Sequence, residues 1–427
     1  QPLRRRKQEK GSMSPERVFQ VLTVLGLAAG GWLYGDYWKK SNLPPLDNDS
    51  AATLRAENSE LVQRVDTLEE ELAQVRSMLS KGPFPVPDDI ISWVEKDYDM
   101  VFLKNPNVRL ASPTKIRDAA HANLRLIYGE VDLENEGLAW ELLGLLPPNQ
   151  RLFTQLLFVN SSGVKGICDL SEQRILLSEN FDAMSVPDRS VLVRLLGQLL
   201  AYQNYPKKEW GSRDEWQAWE AVHTGSAAAQ QSRFLRRNTD TNEASWDDPE
   251  PAREQLLNDL EPALQGFCNF PFIEGADFSR YFFIDSRAAW AGMFQNPPST
   301  TAAVLHPNQK EREAIDISFP NSGSEIIHEN TIGELGLRLW LEPFAGMDES
   351  GLLAEQWRGD RYQLRRRSDK QFTLTWKIAL VDEKSAKSLK AEVERSMIPH
   401  FHEAQASRKT DVNVSGTVLT FTNSPKK

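Results

Sequence analysis

Cysteine is nearly absent from this sequence, and its scarcity limits the fold. The 427 residues include 2 cysteines, Cys168 and Cys268. One distant pair cannot build the disulfide framework of a small secreted domain or the paired CxxC clusters of a zinc knuckle. Two alternatives remain for the pair: a single bridge in an oxidising compartment, or two buried free thiols.

An excess of positive charge is also missing. The chain has 50 Lys and Arg against 60 Asp and Glu, which gives a formal net charge of −10. Nucleic-acid binding relies on clustered Lys and Arg, so no nucleic-acid partner is expected. The hydrophobic fraction of 40% is enough for a substantial core, in one large domain or two ordinary ones.

Common catalytic motifs are absent too. The sequence has no Gly-x-Ser-x-Gly nucleophile elbow, no P-loop and no dinucleotide fingerprint. Neither cysteine has a histidine beside it in the sequence. No residue pattern therefore points to a nucleotide cofactor or to a nucleophilic hydrolase.

Only one long hydrophobic run is present, at residues 18–38 after a basic tail at 1–17. It is about as long as a bilayer-spanning helix, and aromatic residues followed by two lysines close its C-terminal end. The pattern predicts a single transmembrane anchor with a cytoplasmic N-terminus and the main domain on the other side of the membrane. A cleaved signal peptide is the alternative.

Residues 50–80 predict a coiled coil. Two seams repeat every seven positions, one formed by Leu54, Leu61, Leu68 and Val75, the other by Asn58, Val65, Leu72 and Leu79, and all of these residues except Asn58 are apolar. Asn58 falls at an a position, where pairing with its own copy favours a parallel dimer in register. We therefore expect a homodimer through residues 54–79. The alternative is a single amphipathic helix packed on the domain.

A linker with three prolines at 81–89 separates the coiled coil from residues 90–427, which we expect to form one α+β domain. Predicted strands lie at 153–159, 163–168, 174–178, 372–380 and 411–424. Predicted helices lie at 187–204, 213–237, 253–266, 272–294, 331–342 and 383–397.

The helix around "VRLLGQLLAYQNYP" (193–206) is apolar nearly all round, so it is expected to be buried. Arg194 and Gln198 are the polar exceptions. They lie four residues apart and therefore share one helical face. Zinc peptidases place two histidines at this spacing.

The stretch "VLVRLLGQLLAYQNY" resembles the active-site helix of bacterial zincin-type metallopeptidases, in which His-Glu-x-x-His precedes Ala-Leu-Gln-Asp-Gln. In this register Arg194 and Gln198 replace the histidines, and Leu195 replaces the glutamate. The segment "AWEAVHTGSAAA" is similar to the family's Glu-Gly-Asp-Ala turn at Thr224-Gly225-Ser226-Ala227, which puts Thr224 at the third ligand position. Looser matches in the same order lie at 163–178, 296–307, 333–341 and 354–364, so the resemblance covers roughly 150–425.

The resemblance implies a zincin-like metallopeptidase fold but argues against its activity. The charged guanidinium of Arg194 repels zinc, and neither leucine nor threonine can replace a glutamate. The expected protein is a pseudoenzyme without metal or other cofactor, in the bacterial inner membrane with a periplasmic domain. It would be a binding or scaffold module for an unknown protein or peptide partner. The alternative is a hydrolase with a rebuilt active site.

Arg194 itself allows two interpretations. It either forms a buried ion pair, with Glu220 or Asp214 on the following helix, or holds a ligand carboxylate such as a peptide C-terminus. The second interpretation predicts a binding cleft formed by Arg194, Gln198, His223 and Arg361.

Overall fold

A computed structural model of the chain describes residues 57–67, 83–206, 209–238, 250–309, 314–320 and 324–426. The chain divides into two compact units, Gln1–Phe84 and Pro85–Lys427. Among the described residues, no helix combines the length and the apolar composition that a membrane crossing needs. The predicted anchor at 18–38 and most of the predicted coiled coil lie outside the described residues.

Within the first unit, residues 57–67 are helical. The side chains of Leu61 and Val65, one from each predicted seam, are exposed, as is that of Val62. Dimerisation through this helix remains a prediction.

The second unit is α+β. Its α-helices are α1 (Asp88–Tyr98), α2 (Pro113–Tyr128), α3 (Glu130–Leu143), α4 (Leu152–Ser161), α5 (Val186–Asn204), α6 (Arg213–Asn238), α7 (Pro251–Asn258), α8 (Pro262–Asn269), α9 (Glu274–Asp285), α10 (Arg287–Gln295), α11 (Thr301–Leu305), α12 (Gly333–Ala345), α13 (Met347–Ala354), α14 (Glu383–Glu392) and α15 (Ile398–Ala404), with a π-helical turn at Val393–Met397. Its strands are β1 (Asn107–Ala111), β2 (Gly166–Asp169), β3 (Arg174–Ser178), β4 (Glu325–Asn330), β5 (Trp357–Arg366), β6 (Phe372–Leu380), β7 (Arg408–Ser415) and β8 (Val418–Pro425).

The strands form two sheets. The small sheet has the order β1-β3-β2, with β1 parallel to β3 and β2 antiparallel to it. The larger sheet has the order β4-β5-β6-β8-β7 and is antiparallel throughout. The small sheet contacts α5 through β2 and β3, and so it forms one wall beside the buried helices.

Helix α5 is the centre of the helical part. Ser185 caps its N-terminus by accepting a hydrogen bond from the Asp188 N–H, and nearly every side chain from Val191 to Gln203 is buried. Helix α6 packs along α5 and is held on another side by α9. At the α6–α9 contact, a Cβ on Gly225 would lie 2.3 Å from the Gly275 carbonyl carbon, so this close approach requires glycine.

Asp360 joins the larger sheet to helix α12. Its carboxylate accepts hydrogen bonds from the indole N–H groups of Trp357 (3.0 Å) and Trp376 (2.8 Å). It also accepts from the backbone N–H groups of Ile332 (3.2 Å) and Gly333 (2.9 Å) at the start of α12. Four donors therefore satisfy one buried carboxylate.

Several predicted elements are wrong or need new bounds. The segment predicted as a strand at 153–159 is helix α4, because a short apolar run carries too little periodicity to separate helix from strand. The predicted helix at 253–266 divides into α7 and α8, since Pro262 starts a new helix. The predicted helix at 272–294 divides where Ser286 caps α10. The predicted strand at 411–424 is the hairpin β7–β8, which turns at Gly416 (φ +59).

Candidate functional site

A cavity of about 190 Å³ lies between α5 and α6. Residues from α2, α3, α4, β2, α7, α8 and the loop after α8 also line it. Five of the residues predicted for the degenerate metal site and its cleft line this cavity: Arg194, Leu195, Gln198, His223 and Thr224. Arg194 and Gln198, which the spacing of four residues placed on one helical face, both line it.

Arg194 forms a buried ion pair, but not with either predicted partner. Its Nη2 lies 2.6 Å from Oε2 of Glu250, at the residue before α7. Both side chains are less than a tenth exposed, and the other Glu250 oxygen accepts from the Lys165 N–H at 2.8 Å. The Arg194 guanidinium also lies 5.7 Å from the ring centre of Phe272. Arg194 and Glu250 both line the cavity, so the ion pair forms part of its wall.

Asp214, one of the predicted partners, belongs to a different contact. It is buried at the start of α6, where it accepts from the Thr301 N–H (2.9 Å) and hydroxyl (2.5 Å). Burial raises the pKa of this carboxyl to about 7, against the lowering effect of the two Thr301 hydrogen bonds. It ties α6 to α11 and does not line the cavity.

Gln198 and Thr224 meet across the two helices. The Gln198 amide donates to the Thr224 hydroxyl at 3.1 Å. Leu195 is almost fully buried on the neighbouring part of α5. At the position of the resembled family's base the chain thus has the apolar Leu195. At two of the ligand positions it has Gln198 and Thr224, which share a neutral hydrogen bond.

His223 and Arg361 lie in different surroundings. His223 is buried, its ring stacks on Trp219 with centroids 3.9 Å apart, and burial lowers its pKa to about 3. Its Nδ1 has no hydrogen-bond partner within the part of the chain that the structure describes. Arg361 lies on β5, half exposed and 3.6 Å from carboxylates of Asp316 and Glu329. It does not line the cavity, so the structure does not bring it together with Arg194, Gln198 and His223.

The sequence did not reveal a buried cluster around Arg213, at the start of α6. Its Nε lies 3.0 Å from Oε1 of Glu136 on α3, and both side chains are almost fully buried. The guanidinium packs against the rings of Tyr128, Trp140 and Trp216, at 4.3, 5.2 and 5.3 Å from their centres. This cation is therefore both paired and covered by aromatic rings.

Glu220 was predicted to be an ion-pair partner of Arg194, and the structure places it elsewhere on the cavity wall. It is partly buried on α6, one turn from Thr224. Burial raises its pKa to about 7, while the nearby charges of Arg213 and Arg253 act in the opposite direction. The spacing of Gln217, Glu220 and Thr224 on one helical face is the sequence signal that could have identified it.

The two cysteines line the same cavity as free thiols. Of the two alternatives left by the sequence, the structure has the unbridged form. Burial raises the pKa of Cys168 to about 12 and that of Cys268 to about 11, so both thiols stay protonated at neutral pH.

The described residues contain no group of three or more His, Cys, Asp or Glu side chains that could hold a metal ion. No protein-family model, curated protein or solved structure matches the chain. What the site can do must be argued from its own geometry.

Proposed function

We propose that this chain is a membrane-anchored, dimeric, catalytically inactive peptidase-like protein. It would act as a binding or scaffold module at the bacterial cell envelope, with its main domain on the periplasmic side of the inner membrane. It would have the zincin-like fold that the resemblance implies, together with the predicted membrane anchor and coiled coil.

One observation carries the proposal. The side chains at the ligand positions of the resembled family are engaged with protein groups: Arg194 with Glu250, and Gln198 with Thr224. A cavity nevertheless persists beside them. A site that keeps its space but has lost its metal ligands and its base suits binding better than hydrolysis.

A hydrolase with a rebuilt active site is the second candidate, and Glu220 is the observation in its favour. A carboxyl in a cavity with its pKa raised to about 7 suits a general base. The thiols of Cys168 and Cys268 line the same cavity, but protonated thiols are poor nucleophiles. A hydrolase at this cavity would therefore have a general base but no activated nucleophile.

The test combines zinc analysis with a turnover assay on the purified full chain. After incubation with zinc and dialysis, we expect no stoichiometric zinc and no cleavage of a fluorogenic peptide pool. Tightly held zinc, or turnover that depends on Glu220, would overturn the proposal in favour of an enzyme.

A quadruple variant provides the matched control: Arg194→His, Leu195→Glu, Gln198→His and Thr224→Glu. These changes restore the ligand set of the resembled family, so the variant is expected to retain zinc through dialysis. Activity need not return, because the residues that orient the ligands can differ as well. A folded quadruple variant that takes up no zinc would show that the assignment of ligand positions is wrong.

A further inference from the structure

The carboxylate of Glu220 lines the cavity, and no residue that the structure describes donates a hydrogen bond to it. It lies on the cavity face of α6, partly buried. Glu250, on the same cavity wall, contrasts with it because Arg194 and the Lys165 N–H both bond to its carboxylate. The Glu220 carboxylate is therefore open to a hydrogen-bond donor from a molecule that enters the cavity.

A second acceptor lies one helical turn away. Gln217 is 3% exposed and lines the cavity, and its Oε1 has no hydrogen-bond donor in the described part of the chain. Residues three apart on a helix are neighbours on one face. Glu220 and Gln217 therefore present two acceptors side by side, which suits a ligand that carries several N–H groups.

The two guanidiniums near Glu220 have other contacts. Arg213 pairs with Glu136 and is covered by aromatic rings, while Arg253 lies 4.8 Å from the ring centre of Phe272. Both guanidiniums favour the ionised form of Glu220 without donating a hydrogen bond to it. His223 is neutral and adds no charge.

The remaining walls are largely aromatic. The rings of Trp216 and Trp219 on α6, Tyr128 on α2 and Phe267 on α8 line the cavity. Tyr128 and Trp216 already pack against Arg213, and Trp219 stacks on His223, so these walls offer apolar contact area for a ligand ring. A cavity of about 150 Å³ can hold benzene, and this one, at about 190 Å³, has room for a single ring with a small substituent.

From this geometry we infer that the cavity binds a single-ring organic cation, an amidinium or an ammonium, whose N–H groups donate to Glu220 and Gln217. The inference rests on the proposed binding function and names the ligand class of that site. Glu220 would be the counter-ion of the ligand, and the aromatic walls would cover its ring.

Three probes of similar shape test the inference on the full chain by titration calorimetry: benzamidine (a cation), benzamide (neutral) and benzoate (an anion). Benzamidine should bind at least about tenfold more tightly than the other two, since a charge-assisted hydrogen bond is stronger than a neutral one. Glu220→Gln should remove that preference. Glu254→Gln, the same change at an exposed site on α7 outside the cavity lining, should retain it.

The pH dependence gives a readout that needs no variant. Burial raises the pKa of Glu220 to about 7, so benzamidine affinity should rise between pH 6 and 8 as the carboxyl ionises. Arg213 and Arg253 stay charged in that range because a guanidinium does not lose its proton in proteins. His223 stays neutral, and Tyr128 and Cys268 stay protonated.

Each outcome decides the inference. No binding of benzamidine, equal binding of benzamide, a preference for benzoate, or unchanged benzamidine binding in a folded Glu220→Gln variant would overturn it. None of these results bears on zinc or turnover, so they leave the proposed function standing. Turnover that requires Glu220 would overturn the proposed function instead.

Discussion

The buried ion pair between Arg194 and Glu250 is expected to contribute to the free energy of unfolding, and removal of one partner measures its importance. Arg194→Leu puts an apolar side chain at this position and removes the guanidinium, whose Nη2 lies 2.6 Å from Oε2 of Glu250. Glu250 keeps its hydrogen bond from the Lys165 N–H but loses the guanidinium of Arg194. Breaking a buried pair by removing one partner costs about 3–5 kcal/mol. We expect the lower part of this range because that hydrogen bond remains.

Urea denaturation of the full chain, followed by tryptophan fluorescence, measures the loss. The matched control is Arg151→Leu, which removes an exposed ion pair of similar length, 2.8 Å to Glu134. An exposed pair contributes only about 0–1 kcal/mol, so the control should barely change. The double variant Arg194→Leu with Glu250→Leu should recover most of the loss, since no buried charge then remains without its partner.

Equal, small effects of Arg194→Leu and Arg151→Leu would refute this reasoning. A stable Arg194→Leu variant with weakened ligand binding would support the other interpretation of Arg194, as a group that holds a ligand carboxylate.

Three further predictions follow from other parts of the molecule. Burial raises the pKa of Asp214 to about 7, so between pH 4 and 7 the native carboxyl holds a proton that the unfolded one has lost. The free energy of unfolding should therefore fall as pH rises through this range, by up to ~1.4 kcal/mol per pH unit. Urea denaturation at several pH values should show this slope, and Asp214→Asn should flatten it. Asp360→Ala should lower the free energy of unfolding by more than about 4 kcal/mol because four buried donors lose their acceptor, whereas Asp316→Ala, at an exposed carboxylate, should change it little in the same urea titration. Light scattering should give a dimer for the full chain and a monomer for a chain that starts at Ile90, and a dimeric short chain would contradict dimerisation through residues 54–79.

Elements with a clear period or clear end signals could be predicted from the sequence. Helix α5 begins within one residue of its predicted start, and β3 and β6 have their predicted bounds. The meeting of Gln198 and Thr224 also follows from spacing along two helices once these pack together. Local periodicity contains this information because it reports which side chains share a face.

Contacts between distant segments could not be predicted in the same way. Glu250 pairs with Arg194 across 56 residues, and nothing in the local pattern distinguishes it from the nearer acids Asp214 and Glu220. Arg361 was assigned to the cleft from a loose sequence match, although its place on β5 directs it elsewhere. Helix α4 owes its state to packing against its neighbours, which a short apolar run does not encode.

The strand order of the larger sheet has a consequence for the making of the protein. Strand β8 follows β7 in the sequence, yet it lies between β6 and β7 in the sheet. During translation, β7 therefore gains its ladder partner only after residues 418–425 have left the ribosome. A message cut short before Val418 would yield a chain with unpaired edges on both β6 and β7. Unpaired edges template aggregation, so such truncated products should be strong substrates for chaperones and proteases.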